Sequence, residues 1–332
     1  MTPPRAPATL LSLEEIRAPV EADLDLVTER MAAVLRSGSP LIADVNGHLF
    51  RTRGKLFRPT LLLLASRVLG RRPAERIRLG GVVELIHLAT LVHDDAIDDS
   101  QLRRGLPTVN AKWSHKVSVI MGDYLYSRAM AELAGSGDLA LITMGAEVTN
   151  AMAVGEMMQI ARGSALEGGE EEYFALIERK TASLIATACA MGAHLGAPER
   201  EAELERFGRE LGLAFQIVDD MLDLCGDEQV MGKRPGADLR ELKPTLPLLH
   251  AFRQAEPADR ARLGAAFRSP PLQDGDEDWL VALAAESGGL EHAREIAARH
   301  GARALEALAD LPPSEELKAL QAAVTYVLQR ER

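Results

Sequence analysis

Sulfur chemistry is nearly absent from this chain. Its two cysteines, Cys189 and Cys225, make neither a metal-ligand spacing nor a disulfide framework, which fits a reducing cytoplasm. Long apolar runs are missing too. Runs such as Leu61 to Ala65 are far too short to span a bilayer. The start, Met1 to Thr9, is Pro-rich with a lone Arg5 and has no apolar core of the signal-peptide kind. There is no basic excess: the net charge is −11, which disfavours nucleic acid as a partner. Aromatics are scarce at 4%. What remains is rich in Ala and Leu, the residues that lose least on entering a helix.

Hydrophobic content of 47% over 332 residues suffices for a large core. The pattern predicts an all-α chain with no β alternation of useful length. Residues 1–10 read as disordered, and 11–332 as a single helical domain. Ser12, with Glu15 three residues on, predicts a capped helix start for the stretch 12–36. Arg36 to Pro40 is a break. Pro59 sits in a first turn, followed by helical Thr60–Leu69. Further helices are predicted over 75–99, 117–134, 138–162, 170–195 and 199–225. Arg103 to Pro107 reads as a loop and 226–247 as a long ordered one. Shorter helices follow, broken near Pro270, Gly288 and Pro312.

One phrase occurs twice. Asp94-Asp95-Ala96-Ile97-Asp98 is echoed by Asp219-Asp220-Met221-Leu222-Asp223. On a helix, residues at i and i+4 share a face, so Asp94 and Asp98 pair there, with His87 two turns back on nearly the same line. Gln216, Asp219, Asp220 and Asp223 make a second polar stripe. Like charges at this spacing destabilise a helix, and unpaired carboxylates within apolar segments are costly. A bound cation resolves both conflicts, and carboxylates shared with substrate phosphates are what Mg2+ favours. One such motif alone is better explained as an exposed acidic face. Two, each on an apolar helix and each followed by basic residues, point to a metal-diphosphate site.

A metal-bridged diphosphate also needs cations. Lys55 and Arg58 open an apolar helix. Arg103 and Arg104 follow the first motif. Lys180-Thr181 lies among small and apolar residues, and Lys233 and Lys243 flank the loop after the second motif. Singly, each is an ordinary surface charge, and His87 alone reads equally well as a core histidine.

These residues resemble the trans-isoprenyl diphosphate synthases, or polyprenyl synthetases, most of all the long-chain octaprenyl type. The similarity runs from about residue 45 to the C-terminus. It is dense at Gly54–Pro59, Glu84–Gly105, Lys180-Thr181, Phe215–Asp223 and Gly232–Pro247. It implies the isoprenoid-synthase bundle around a deep central apolar cavity, a homodimer, and transient membrane association through a lipid product. By position, Asp94 and Asp98 would bind two Mg2+ ions, and Asp219 with Asp223 a third. Arg103, Lys180, Thr181, Gln216, Lys233 and Lys243 would hold an allylic diphosphate. Lys55, Arg58, His87 and Arg104 would hold isopentenyl diphosphate. Asp95, Asp220 and Lys180 complete the expected catalytic set. Leu56 departs from the pattern, since many members carry a basic residue there.

The implied reaction is a Mg2+-dependent head-to-tail condensation of the two diphosphates. Diphosphate departs, an allylic cation forms, the isopentenyl double bond attacks it, and a proton is lost. Charge stabilisation and exclusion of water are the protein's tasks. A helical turn rises about 5.4 Å, so Thr90, Ala89 and Ile86 lie at successive levels below Asp94; none is aromatic, and the expected product is long, about C40. The alternatives are a short-chain farnesyl or geranylgeranyl diphosphate synthase, a class I terpene cyclase, and a non-catalytic subunit of a heteromeric synthase. The second Asp-Asp-x-x-Asp argues against the cyclase, and the retained motif residues argue against the subunit.

Overall fold

A computed structural model describes residues 12–52, 54–225, 236–268 and 271–330. The expectation for residues 1–10 and the assignment of Lys233 fall outside these. The described residues are helical apart from one short hairpin. Helix α1 (Leu13–Arg17) starts at a capping box in which the Ser12 hydroxyl and the Glu15 carboxylate accept each other's backbone N–H. A 3-10 turn leads to α2 (Glu21–Val34), and α3 (Pro40–Thr52) follows. Reading from sequence stops at the break before Pro40; the proline is in fact the first residue of α3, where its missing N–H costs nothing.

The helix α4 (Phe57–Arg67) leads to α5 (Arg76–Ile97). Where a loop is expected, β1 (Leu102–Arg103) and β2 (Leu106–Pro107) form a hairpin. Arg104 and Gly105 join them with both φ angles positive, +54° and +74°. That is the twist two-residue hairpin turns require, and Arg104 holds it at a cost of about 1 kcal/mol. Next come α6 (Val109–Lys112), α7 (His115–Ala134), α8 (Leu139–Arg162) and α9 (Gly169–Ile177). The stretch 170–195 is not one regular helix. A π-helical turn, Glu178–Ala182, separates α9 from α10 (Ser183–Gly196), and Lys180-Thr181 sit in it. The order closes with α11 (Glu201–Cys225), α12 (Ala237–Arg240), α13 (Leu246–Gln254), α14 (Pro257–Arg268), α15 (Asp276–Glu286), α16 (Gly289–Ala307) and α17 (Glu315–Leu328).

Leu61, Leu62, Leu63 and Leu64 are all fully buried, so α4 is enclosed on every side, as a helix apolar all round must be. It packs against α5 and α10. The α4–α10 approach is close because α10 presents glycine: a Cβ on Gly196 would lie 1.7 Å from the Ser66 carbonyl oxygen. A second cluster joins Leu213, Ile217 and Met221 of α11 to Leu248 and Leu249 of α13 and Ile296 of α16. Both acidic motifs thereby fall on the last turns of long, well-packed helices, α5 and α11. No described helix is long and apolar enough to cross a membrane.

Candidate active site

Helix C-termini carry partial negative charge, so carboxylates there are doubly disfavoured. The two motifs differ in how each aspartate is compensated. Asp95 is buried, and Arg103 grips it: Nε donates to both carboxylate oxygens (2.9 and 3.1 Å) and Nη2 lies 2.8 Å from Oδ1. Asp94 has weaker support. Its Oδ2 is 4.0 Å from Lys180 Nζ. Burial above all, opposed by Lys180 and reinforced by Glu156 and Asp98, pushes its carboxyl up to about 6. Asp98 is exposed beyond it.

In the second motif Asp220 is buried, accepting hydrogen bonds from the Tyr173 hydroxyl (2.7 Å) and Gln216 Nε2 (2.7 Å). Burial, with Asp238 nearby, holds its carboxyl well above the usual range. Asp223 is also buried, and its Oδ2 accepts the Asp238 backbone N–H (2.7 Å), anchoring the start of α12. Asp219 is half exposed and lies 3.2 Å from Arg330 Nη2. The stripe thus divides: Asp95, Asp220 and Asp223 are buried and held by close hydrogen bonds, whereas Asp94 is half-buried with only a 4.0 Å approach from Lys180, and Asp98 and Asp219 are exposed.

Of the cations singled out in the sequence, Lys180 and Lys243 lie beside carboxylates near the motifs, and Lys233 is outside the described residues. Lys180 Nζ donates to Gln159 Oε1 (2.9 Å) and lies 2.5 Å from Glu156 Oε2. The π turn presents it, and Gly155 lets α8 come close, since a Cβ there would be 3.0 Å from the Lys180 amide nitrogen. Thr181 donates to Gln216 Oε1 (2.8 Å). Lys243 is 3.6 Å from Asp238 Oδ1 and pairs with Glu241; Asp238 and Glu241 hold its ammonium above the ordinary range against burial, with a further contribution from Asp98.

A separate cationic pocket lies beside α5, lined by Gly54, Glu84, His87, Asp95, Arg103 and Arg104 among others. Arg58 Nη1 donates to His87 Nε2 (3.1 Å). Burial, then the charges of Arg58, Arg104 and Arg103, keeps His87 neutral, well below its usual range. Burial also lowers Arg58, which feels Glu84 and Asp219 as partners. Its Nε is buried with no hydrogen-bond partner among the described residues. The Arg104 guanidinium passes so near Gly54 that a Cβ there would be 2.9 Å from it. Lys55 is exposed at this edge. Leu56 is buried with φ +52°, so its apolar side chain serves packing. Below the first motif Ile86 and Ala89 are buried, and Thr90 donates its hydroxyl to the His87 carbonyl (2.8 Å).

Reading the sequence misses Glu156, Gln159, Tyr173, Asp238 and the pairing of Arg330 with Asp219. Glu156 and Gln159 carry a local signal, polar residues three apart on α8. Tyr173, Asp238 and Arg330 carry none, because each is defined by what it touches across the fold.

Residues 39–283 match the polyprenyl synthetase family. The octaprenyl diphosphate synthase of Haemophilus influenzae is 37% identical, covering 94% of this chain and 95% of its own. A short chain isoprenyl diphosphate synthase of Methanothermobacter thermautotrophicus is 38% identical over 92% and 96%. Among solved structures, a polyprenyl synthase from Caulobacter crescentus, complexed with calcium and isoprenyl diphosphate, superposes with a TM-score of 0.93 at 31% identity, covering 98% of this chain and 100% of that one. The bundle is the all-α isoprenoid-synthase fold, and the chain belongs to the polyprenyl synthetase family of prenyltransferases.

Proposed function

We propose that the chain is an all-trans, long-chain polyprenyl diphosphate synthase that condenses isopentenyl diphosphate with an allylic diphosphate. One observation carries this reading. The two acidic motifs, distant in sequence, meet at one π turn: Lys180 Nζ lies 4.0 Å from Asp94 of the first, and Thr181 donates to Gln216 of the second stripe (2.8 Å). Two anionic groups and the metal between them fit that arrangement.

The donor set supports Mg2+. It offers carboxylate oxygens alone, which suits a hard cation, and Asp94 is pushed up to about 6 by burial and neighbouring carboxylates, as expected of a ligand awaiting its ion. Asp94 and Asp98 would hold it on one side and Asp219, with Asp223, on the other, three ions in all by family resemblance. A metal held by these carboxylates would supply positive charge to the departing diphosphate. The chain's own residues do the rest. Lys180, set by Glu156 and Gln159, and Arg103, set by Asp95, hold the allylic diphosphate with Thr181, Gln216 and Lys243. Arg58, Arg104 and Lys55 take the other diphosphate, with neutral His87 available to hydrogen-bond it. The departing diphosphate receives the proton, so no dedicated base is needed.

Identity does not separate long from short products, since relatives of both kinds stand near 37–38%. The small residues Ala89 and Thr90 below Asp94 support the long one. Apolar side chains exposed on α7 (Val119, Ile120) and α8 (Met157, Ile160) support a homodimer. The test is to incubate the purified protein with farnesyl and isopentenyl diphosphates and read the product lengths. Octaprenyl-length product that disappears with a chelator and returns with Mg2+ is expected. Farnesyl or geranylgeranyl ceilings would select the short-chain alternative.

A further inference from the structure

Away from the acidic motifs, three metal-competent side chains meet where α9, α13 and α16 come together. Glu170 is in the first turn of α9, His250 is on α13 and His292 on α16. One carboxylate oxygen and one nitrogen from each ring all lie within 4.8 Å of one another. His292 Nε2 is 3.1 Å from Glu170 Oε1. The two imidazoles stand 4.2 Å apart between centroids, tilted by 32°. All three residues are half-buried.

We propose that Glu170, His250 and His292 form a binding site for a borderline divalent transition-metal ion, Zn2+ above all, with a fourth position left to water. Two neutral imidazoles and one carboxylate are a donor set zinc takes at roughly 2.0–2.2 Å, which asks for ligand atoms roughly 3.3 Å apart. Glu170 and His292 already meet that spacing, and a His250 nitrogen lies within 4.8 Å of both. The arrangement is otherwise hard to rationalise. Two imidazoles this close repel when both are protonated, and one suffices to pair with Glu170.

The surroundings of His250 favour its neutral form, the one that binds a metal. Burial first, then His292, lowers the His250 pKa, with Glu170 opposing and Arg253 adding to the lowering. Arg253 is the competitor: its Nη1 lies 3.2 Å from Glu170 Oε1, but its side chain is 62% exposed and free to swing away. Zn2+ here would tie α9 to α13 and α16. Since α9 carries Tyr173 onto Asp220 and runs into the turn bearing Lys180, such an ion would brace one wall of the active site.

The test uses full-length protein stripped of metal, without Mg2+ or diphosphate, titrated with Zn2+ or Co2+. Wild type should bind one ion tightly, with the visible absorption of low-symmetry cobalt and a Zn2+-dependent rise in melting temperature. H250Q and H292Q should each weaken binding by about a hundredfold and lose the cobalt spectrum. R253Q should bind more tightly. A variant carrying D94N and D219N should keep the site, which separates it from the acidic motifs. Circular dichroism of the stripped variants establishes that they are folded. Undiminished Zn2+ affinity in folded H250Q and H292Q, or no specific Co2+ spectrum in wild type, would overturn the proposal.

Discussion

Asp94 should weaken the metal-free fold at neutral pH, and replacing it with asparagine should stabilise the protein. Its side chain is 23% exposed and its carboxyl is raised from 3.8 to about 6, chiefly by burial, against the pull of Lys180 and with the push of Glu156 and Asp98. A carboxyl raised on folding binds its proton more tightly in the native state. Its stabilising contribution is complete below about pH 4 and is lost as pH rises through about 6. Two units or so correspond to about 3 kcal/mol, the cost of ionising Asp94 without its cation. Asp94→Asn removes the ionisation but keeps the shape, and Lys180 retains Glu156 and Gln159 as partners. In chelator, urea titrations of the variant and wild type should agree near pH 4 and diverge to about 3 kcal/mol in the variant's favour near pH 8. Mg2+ with a non-reactive diphosphate should close that gap by stabilising wild type alone, while turnover in Asp94→Asn falls by about 10²–10³-fold. Parallel stability curves across the whole pH range would refute the reasoning.

Three further outcomes follow from the geometry. Arg58→Gln, which removes the charge beside His87, should raise KM for isopentenyl diphosphate by about 10–100-fold and leave KM for the allylic substrate nearly unchanged in steady-state kinetics. Tyr173→Phe strips Asp220 of a buried donor and should cost about 1–3 kcal/mol in urea unfolding, with equal stability meaning that Asp220 finds another donor. Ala89→Phe should shorten the products seen by chromatography; unchanged length would mean that the growing chain leaves by another route.

The acidic words and their basic neighbours were legible because helical periodicity is local. The same holds for the capping box at Ser12 and for the helices over 76–97, 115–134, 139–162 and 201–225. The π turn at Lys180 was not, since Glu178 to Ala182 is ordinary helical composition and only packing against Gly155 and α11 distinguishes it. Nor was the Arg104-Gly105 hairpin, whose two strands are too short to show alternation.

From its sequence alone this protein is all-α, carries two aspartate stripes on apolar helices, and needs cations beside them. Tertiary structure alone divides those stripes. Asp95 goes to Arg103, Asp220 to Tyr173 and Gln216, and Asp223 to the start of α12, while Asp94 is left half-buried with only a distant ammonium, Asp98 is exposed, and Asp219 meets Arg330 at the surface. The physical reason is range. A motif shows which carboxylates share a helix face, but which of them keeps its charge unspent depends on partners from distant elements, brought near only by the packing of the core.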